Sequence, residues 1–188
     1  MKKILAVFAL MSLGLYTTAQ TELTSNNLDY ITSVNLGVNT DFNTASNFAM
    51  SINNGVLLRQ RYMLSLGVGL EGNQTGMQLP MTFEGKYLIL KNRKKTPFVS
   101  FTTGYLQPLQ RGYWQRAEGG FTAGVQVGFQ NFFSEHVGIA TSVGFRHWQQ
   151  RTHDNYYYYY DDILPFSPHG SYLYVSNRFE VKFAFIFK

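Results

Sequence analysis

The stretch Gly119-Gly-Phe-Thr-Ala-Gly-Val-Gln-Val-Gly-Phe-Gln-Asn-Phe-Phe133 alternates between two kinds of side chain. Phe121, Ala123, Val125, Val127 and Phe129 are apolar, whereas Thr122, Gly124, Gln126, Gly128 and Gln130 are small or polar. Side chains of a strand point to opposite faces in turn, so this period of two predicts a strand with one apolar and one polar face. Its length of about eleven residues suits a strand that crosses a bilayer at a tilt.

Seven further segments repeat the pattern: Asp29–Asn39, Phe48–Arg59, Tyr62–Glu71, Met77–Leu90, Pro97–Gln107, Val137–Gln149 and Ser171–Lys188. In the third strand Leu64, Leu66, Val68 and Leu70 form the apolar face. In the last, Phe179, Val181, Phe183, Phe185 and Phe187 do so. Tight connections at Arg59-Gln60-Arg61, Lys91–Thr96 and Ser134-Glu135-His136 alternate with the stretches Thr40–Asn47, Gly72–Gly76, Gln110–Glu118 and Gln150–Gly170. All but the brief Gly72–Gly76 are longer than the turns. Eight strands with this rhythm predict an all-β fold, a closed antiparallel up-and-down transmembrane barrel. Short turns and both chain ends are then expected on the periplasmic side, with the long loops outside the cell.

Composition agrees with a two-faced wall. The 188 residues are 16% aromatic but only 14% charged, and mean hydropathy is only −0.16. That mean is too polar for a bundle of membrane helices, and the aromatics are too many for a disordered chain. With no cysteine, disulfide scaffolds and thiolate metal or redox sites are excluded. Residues 1–19 read as a secretory signal peptide: Lys2 and Lys3, an apolar run from Ile4 to Leu15, then small residues at Thr17 and Ala19. Its removal leaves one barrel domain over 20–188 and takes two lysines from a formal charge of +5. No stripe of lysine or arginine remains, so no nucleic acid partner is expected.

If the apolar faces meet lipid, the opposite positions line the lumen. Arg59, Glu71, Glu84, Lys86, Arg146, Arg178, Glu180 and Lys182 fall there, five cations and three anions. An eight-stranded barrel has an interior just wide enough to be filled by side chains. Opposite charges at that density are expected to pair into a hydrogen-bonded plug, since an unpaired ion is expensive to desolvate. The alternative is a narrow pore whose cationic excess favours small anions.

The alternating aromatic strand that ends at Phe183, Phe185 and Phe187, followed by Lys188, resembles the carboxy-terminal assembly signal of outer-membrane barrels. With the strand count, the whole mature chain resembles the small OmpX-like and OmpA-transmembrane-like outer-membrane barrel family. The resemblance implies a cell outer membrane location, lipid as surroundings, and periplasmic chaperones and the barrel assembly machinery as partners during biogenesis. Some barrels of this size modify lipid A, so a nucleophile and base were sought. His147 is the best base, but Ser142 lies on the opposite face. His147 and His153 fit no usual metal spacing, and no cofactor is implied. A non-catalytic structural or surface-interaction role is the expectation.

The segment 150–170 contains Tyr156, Tyr157, Tyr158, Tyr159 and Tyr160 in a row, then Asp161, Asp162, Pro165 and Pro168. Tyrosine gives large contact area at low entropic cost, which suits contact with an extracellular ligand or surface. Two plainer readings are a ribbon that extends the seventh strand above the bilayer, and an outer aromatic girdle with Tyr113, Trp114, Trp148 and Tyr172.

Overall fold

The computed structural model describes residues 28–40, 46–73, 76–91, 93–109, 115–154 and 171–188. The signal segment, Tyr113, Trp114 and the tyrosine run Tyr156–Tyr160 lie outside them. Eight long strands are present: β1 (Leu28–Thr40), β2 (Asn47–Leu58), β3 (Tyr62–Asn73), β4 (Gly76–Leu88), β5 (Lys95–Pro108), β7 (Gly120–Phe132), β8 (Val137–Asp154) and β9 (Ser171–Phe187), with a short β6 (Gln115–Ala117). Each long strand pairs antiparallel with the next along the chain. The sheet closes where β1 meets β9, from Thr32 opposite Phe187 to Thr40 opposite Phe179.

Alternation decides what faces where. Along β1, Ile31, Ser33, Asn35, Gly37 and Asn39 are buried, and Thr32, Val34, Leu36 and Val38 between them are more open. The outer wall carries exposed Leu66, Val125, Val127, Phe101, Phe145 and Phe185. That is the inverse of a soluble domain, in which surfaces this continuously apolar are rare.

The first tight connection departs from expectation. Arg61 N donates to Leu58 O at 3.0 Å, closing a turn whose central residues, Arg59 and Gln60, have φ of 49° and 56°. Two successive positive φ values give the hairpin turn whose twist matches the flanking strands. Leu57 is the last inward residue of β2, so Arg59 sits in the turn, exposed, and does not line the lumen.

At the other end the barrel does not stop where the alternation suggests. β8 runs on to Asp154, with Gln149 to His153 opposite Val175 to Ser171 of β9. Gln115, Arg116 and Ala117 of β6, in a stretch expected to be loop, pair with Asp154, His153 and Thr152. A three-stranded ribbon thus stands above the rim. Pairing satisfies backbone groups that polar side chains alone would have left to solvent.

Candidate functional site: the filled lumen

The lumen is layered. Nearest the ribbon, Gln78 Nε2 donates to Gln150 Oε1 at 3.0 Å, bridging β4 and β8 across the barrel. Leu106 and Trp148 are buried beside this bridge, at 2% and 4% exposure. The girdle reading would place Trp148 on the outer wall. It lies at an even position of β8 and points inward, where the Arg178 guanidinium stacks over its ring at 4.6 Å and Tyr174 meets it edge-on. The favourable field of the ring face for a cation stabilises this stack in a dry site.

Below lies the outer charge cluster. Arg146 Nη1 is 2.9 Å from Glu71 Oε2 and 3.5 Å from Glu180 Oε1. Arg178 Nη1 is 3.5 Å from Glu71 Oε1, to which Asn39 Nδ2 also donates at 2.9 Å. Lys182 Nζ pairs with Glu180 Oε2 at 3.0 Å. Gln126 Nε2 donates to the same Glu180 oxygen, and Ser142 Oγ donates to Gln126 Oε1 at 3.0 Å. Glu71 and Glu180 thus each hold two cations, with Arg146 shared between them.

A second cluster is smaller. Glu84 accepts from Asn53 Nδ2 at 2.9 Å and lies 3.7 Å from Lys86 Nζ. The Lys86 ammonium sits over the Phe98 ring at 4.6 Å. Two cavities, of about 40 and about 20 Å³, touch both clusters; Asn53, Glu84 and Lys182 line each. Arg146 Nη2 and Asn53 Oδ1 have no protein partner and border the larger one, whose size and polarity suit one or two ordered waters.

The end beside the short turns is closed by hydrocarbon. Ile31, Leu57, Met63, Leu88, Phe98, Ala140, Ala184 and Ile186 form one buried cluster there, with Phe132 packed against it. These residues occupy inward positions, so the charged plug expected from the alternation does not fill the whole lumen. It occupies the middle and outer part, above an apolar septum. Glycines on the inward face make space for this filling. At Gly37 an added Cβ would come within 3.1 Å of Lys182 Cγ, and at Gly128 within 2.5 Å of Phe98 Cζ.

Seven of the eight residues assigned to the lumen are therefore brought together: Glu71, Glu84, Lys86, Arg146, Arg178, Glu180 and Lys182. Without Arg59 there are four cations against three carboxylates, a smaller excess than alternation alone suggests. His147 and Ser142 are separated by the wall. His147 Nδ1 lies 2.8 Å from Asn177 Oδ1 on the outside, while Ser142 bonds Gln126 inside. Among the described residues no three His, Asp or Glu side chains cluster as metal ligands would. Phe183, Phe185 and Phe187 stand on the outer wall of the closing strand, Phe183 edge-on to Phe185 with centroids 5.0 Å apart.

No protein-family model matches the chain, and no curated protein matches it by sequence. Solved structures do match by shape. Neisserial surface protein A (NspA) superposes with a TM-score of 0.54 at 10% identity, over 87% of this chain and 99% of that one. The outer membrane protein AlkL, solved in lipid bilayers, gives 0.49 at 10% identity, over 89% and 91%. With the closed strand order, the apolar outer wall and the polar filled interior, the chain has the fold of a small eight-stranded outer-membrane β-barrel.

Proposed function

We propose that the protein resides in the outer membrane as a non-conducting barrel, and that its work is done at the outer rim as a structural or surface-interaction protein. The observation that carries this reading is the closure of the lumen at both ends. The septum around Ile31, Met63, Phe98 and Ile186 excludes hydrated ions by its apolar packing. Trp148, Leu106 and the Gln78–Gln150 bridge fill the other end. In this orientation the short turns and both termini are periplasmic, and the β6–β8–β9 ribbon stands outside.

The test is electrical. Purified protein in planar bilayers should leave conductance at the level of the bare membrane. Reproducible single-channel steps that disappear when the lumen is blocked would establish the anion-pore alternative instead. The surface role is tested separately by deleting Tyr156–Tyr160, which should leave heat-modifiable folding unchanged and reduce attachment to a host or matrix surface.

A further inference from the structure

Most outward positions among the described residues are apolar, aromatic, glycine or threonine; of the polar ones, His147 and Asn177 bond each other, Gln107 and Asn131 stand near the ends of β5 and β7, and one lies in mid-strand. Asn54 points outward from the middle of β2, between Ile52 and Val56, and is exposed. It stands four positions before Leu58 at the turn. At about 3.3 Å per residue on a strand tilted by about 40°, that places the amide roughly 10 Å inside the rim. Tyr62 and Tyr87, whose rings meet at a tilt with centroids 5.3 Å apart, mark that rim on the neighbouring strands.

Thr32, directly opposite on β1, donates from Oγ1 to Asn54 Oδ1 at 2.8 Å. The two amide hydrogens of Asn54 have no partner among the described residues and face outward. Opposite on β3 stands Leu66, 69% exposed, the most exposed large hydrophobic side chain described. Tyr30 at 57% and Ile52 at 47% complete the surroundings. Hydrocarbon tails offer no acceptor, so an amide held at this depth lacks a partner for its donors.

We propose that the β1–β2–β3 face around Asn54 and Thr32 is a contact surface for a second copy of this chain within the membrane. The inference rests on the membrane reading above. An identical copy is the occupant that the chemistry selects. A primary amide carries both donors and an acceptor with two lone pairs, so it is complementary to itself. In a two-fold contact a surface meets itself, and Asn54 meets Asn54 of the partner subunit. Each Nδ2 then donates to the other's Oδ1, whose second lone pair already accepts from Thr32. Leu66 and Ile52 pack around the amides and exclude lipid from them. Amides shared between membrane-spanning segments act in this way because the alternative partner is hydrocarbon.

The chain has no cysteine, so single cysteines report contacts cleanly. In full-length protein at high dilution in lipid vesicles, V56C should form an oxidised dimer. V127C, on the wall diametrically opposite, should stay monomeric. Adding N54L to V56C should lower the dimer yield roughly threefold to tenfold, and N54Q should keep most of it. Neither change touches the lumen, so heat-modifiable migration should persist in both. Equal yields at residues 56 and 127, no dimer at residue 56, or a yield indifferent to N54L would overturn the proposal; the last would show that lipid headgroups or packing alone satisfy the face. If the folded protein fails to partition into membranes at all, the membrane reading itself falls; a membrane-inserted monomer defeats only this inference.

Discussion

Lys188 Nζ lies 2.8 Å from Asp29 Oδ2, so the end of β9 is tied to the start of β1 at the seam that closes the barrel. The Lys188 amide also donates to His136 O at 2.8 Å, which fixes the same residue against the β7–β8 turn. Both charged side chains are about one-third exposed, at 30% and 34%. The D29N or K188M change should therefore cost less than about 1 kcal/mol, the usual worth of a solvent-accessible pair. Urea unfolding in detergent should show the difference between wild type and variant shrinking as salt rises. A loss that does not respond to salt would mean that packing, and not the ion pair, holds this corner.

Glu71 is the reverse case, because it is buried between Arg146 and Arg178. Replacing it by Gln keeps its shape, takes the carboxylate partner from Arg178 and leaves Arg146 only Glu180. The expected cost is about 3–5 kcal/mol, as for other buried pairs deprived of one partner. The paired variant E71Q/R178M should recover part of this loss, because the stranded cation is gone. Unfolding free energies from gel-shift titrations in denaturant decide the matter, and equal losses for single and double variants would contradict the shared network.

Gln60 occupies a left-handed backbone position that a side chain disfavours, with φ of 56°. Glycine accepts that conformation without steric cost. Q60G should raise stability by about 1 kcal/mol and should do so without changing the barrel's migration on gels. Unaltered or lower stability would show that the Gln60 side chain makes contacts in the turn that outweigh the strain.

Gly128 and Phe98 share one space in the lumen. G128V should be destabilising on its own, because its Cβ meets the Thr141 carbonyl oxygen as well as the Phe98 ring and the Ser142 side chain. F98A alone should cost about 3–5 kcal/mol through the hole left in the septum. Together the two should cost somewhat less than their sum, since F98A relieves the ring's part of the clash and leaves that with the Thr141 backbone oxygen. Strict additivity in a double-mutant cycle would argue that the strands, and not the side chains, set the clash.

Much of this architecture is legible in the alternation. A period of two repeated eight times carries strand number, closure and the inside-outside assignment, because a slip of one residue would turn the phenylalanines of Ser171–Phe187 into the lumen. Three features escape it. Arg59 continues the parity of β2 on paper, but the chain has already entered the turn. The septum residues Ile31, Leu57, Met63 and Ile186 fall on the polar face near strand ends, where an apolar side chain looks like a lapse of pattern and is in fact a layer. The extension of β8 to Asp154 has no apolar face to announce it, and only the reading of a ribbon above the bilayer points that way. Asn54 is the converse: a visible lapse of pattern on the lipid side that the alternation passes over.

Glu71 and Arg178 are 107 positions apart along the chain, and the strands that carry them meet only through the completed ring. Before the seam between β1 and β9 forms, each of these ions keeps its own water. Loss of that hydration and gain of the counter-charge are therefore tied to one late event in biogenesis. A half-made sheet gains nothing from the network, and the finished ring gains all of it at once. Closure is thereby made a cooperative step, reached slowly because its contacts are so distant in sequence, and hard to reverse after the ions have met.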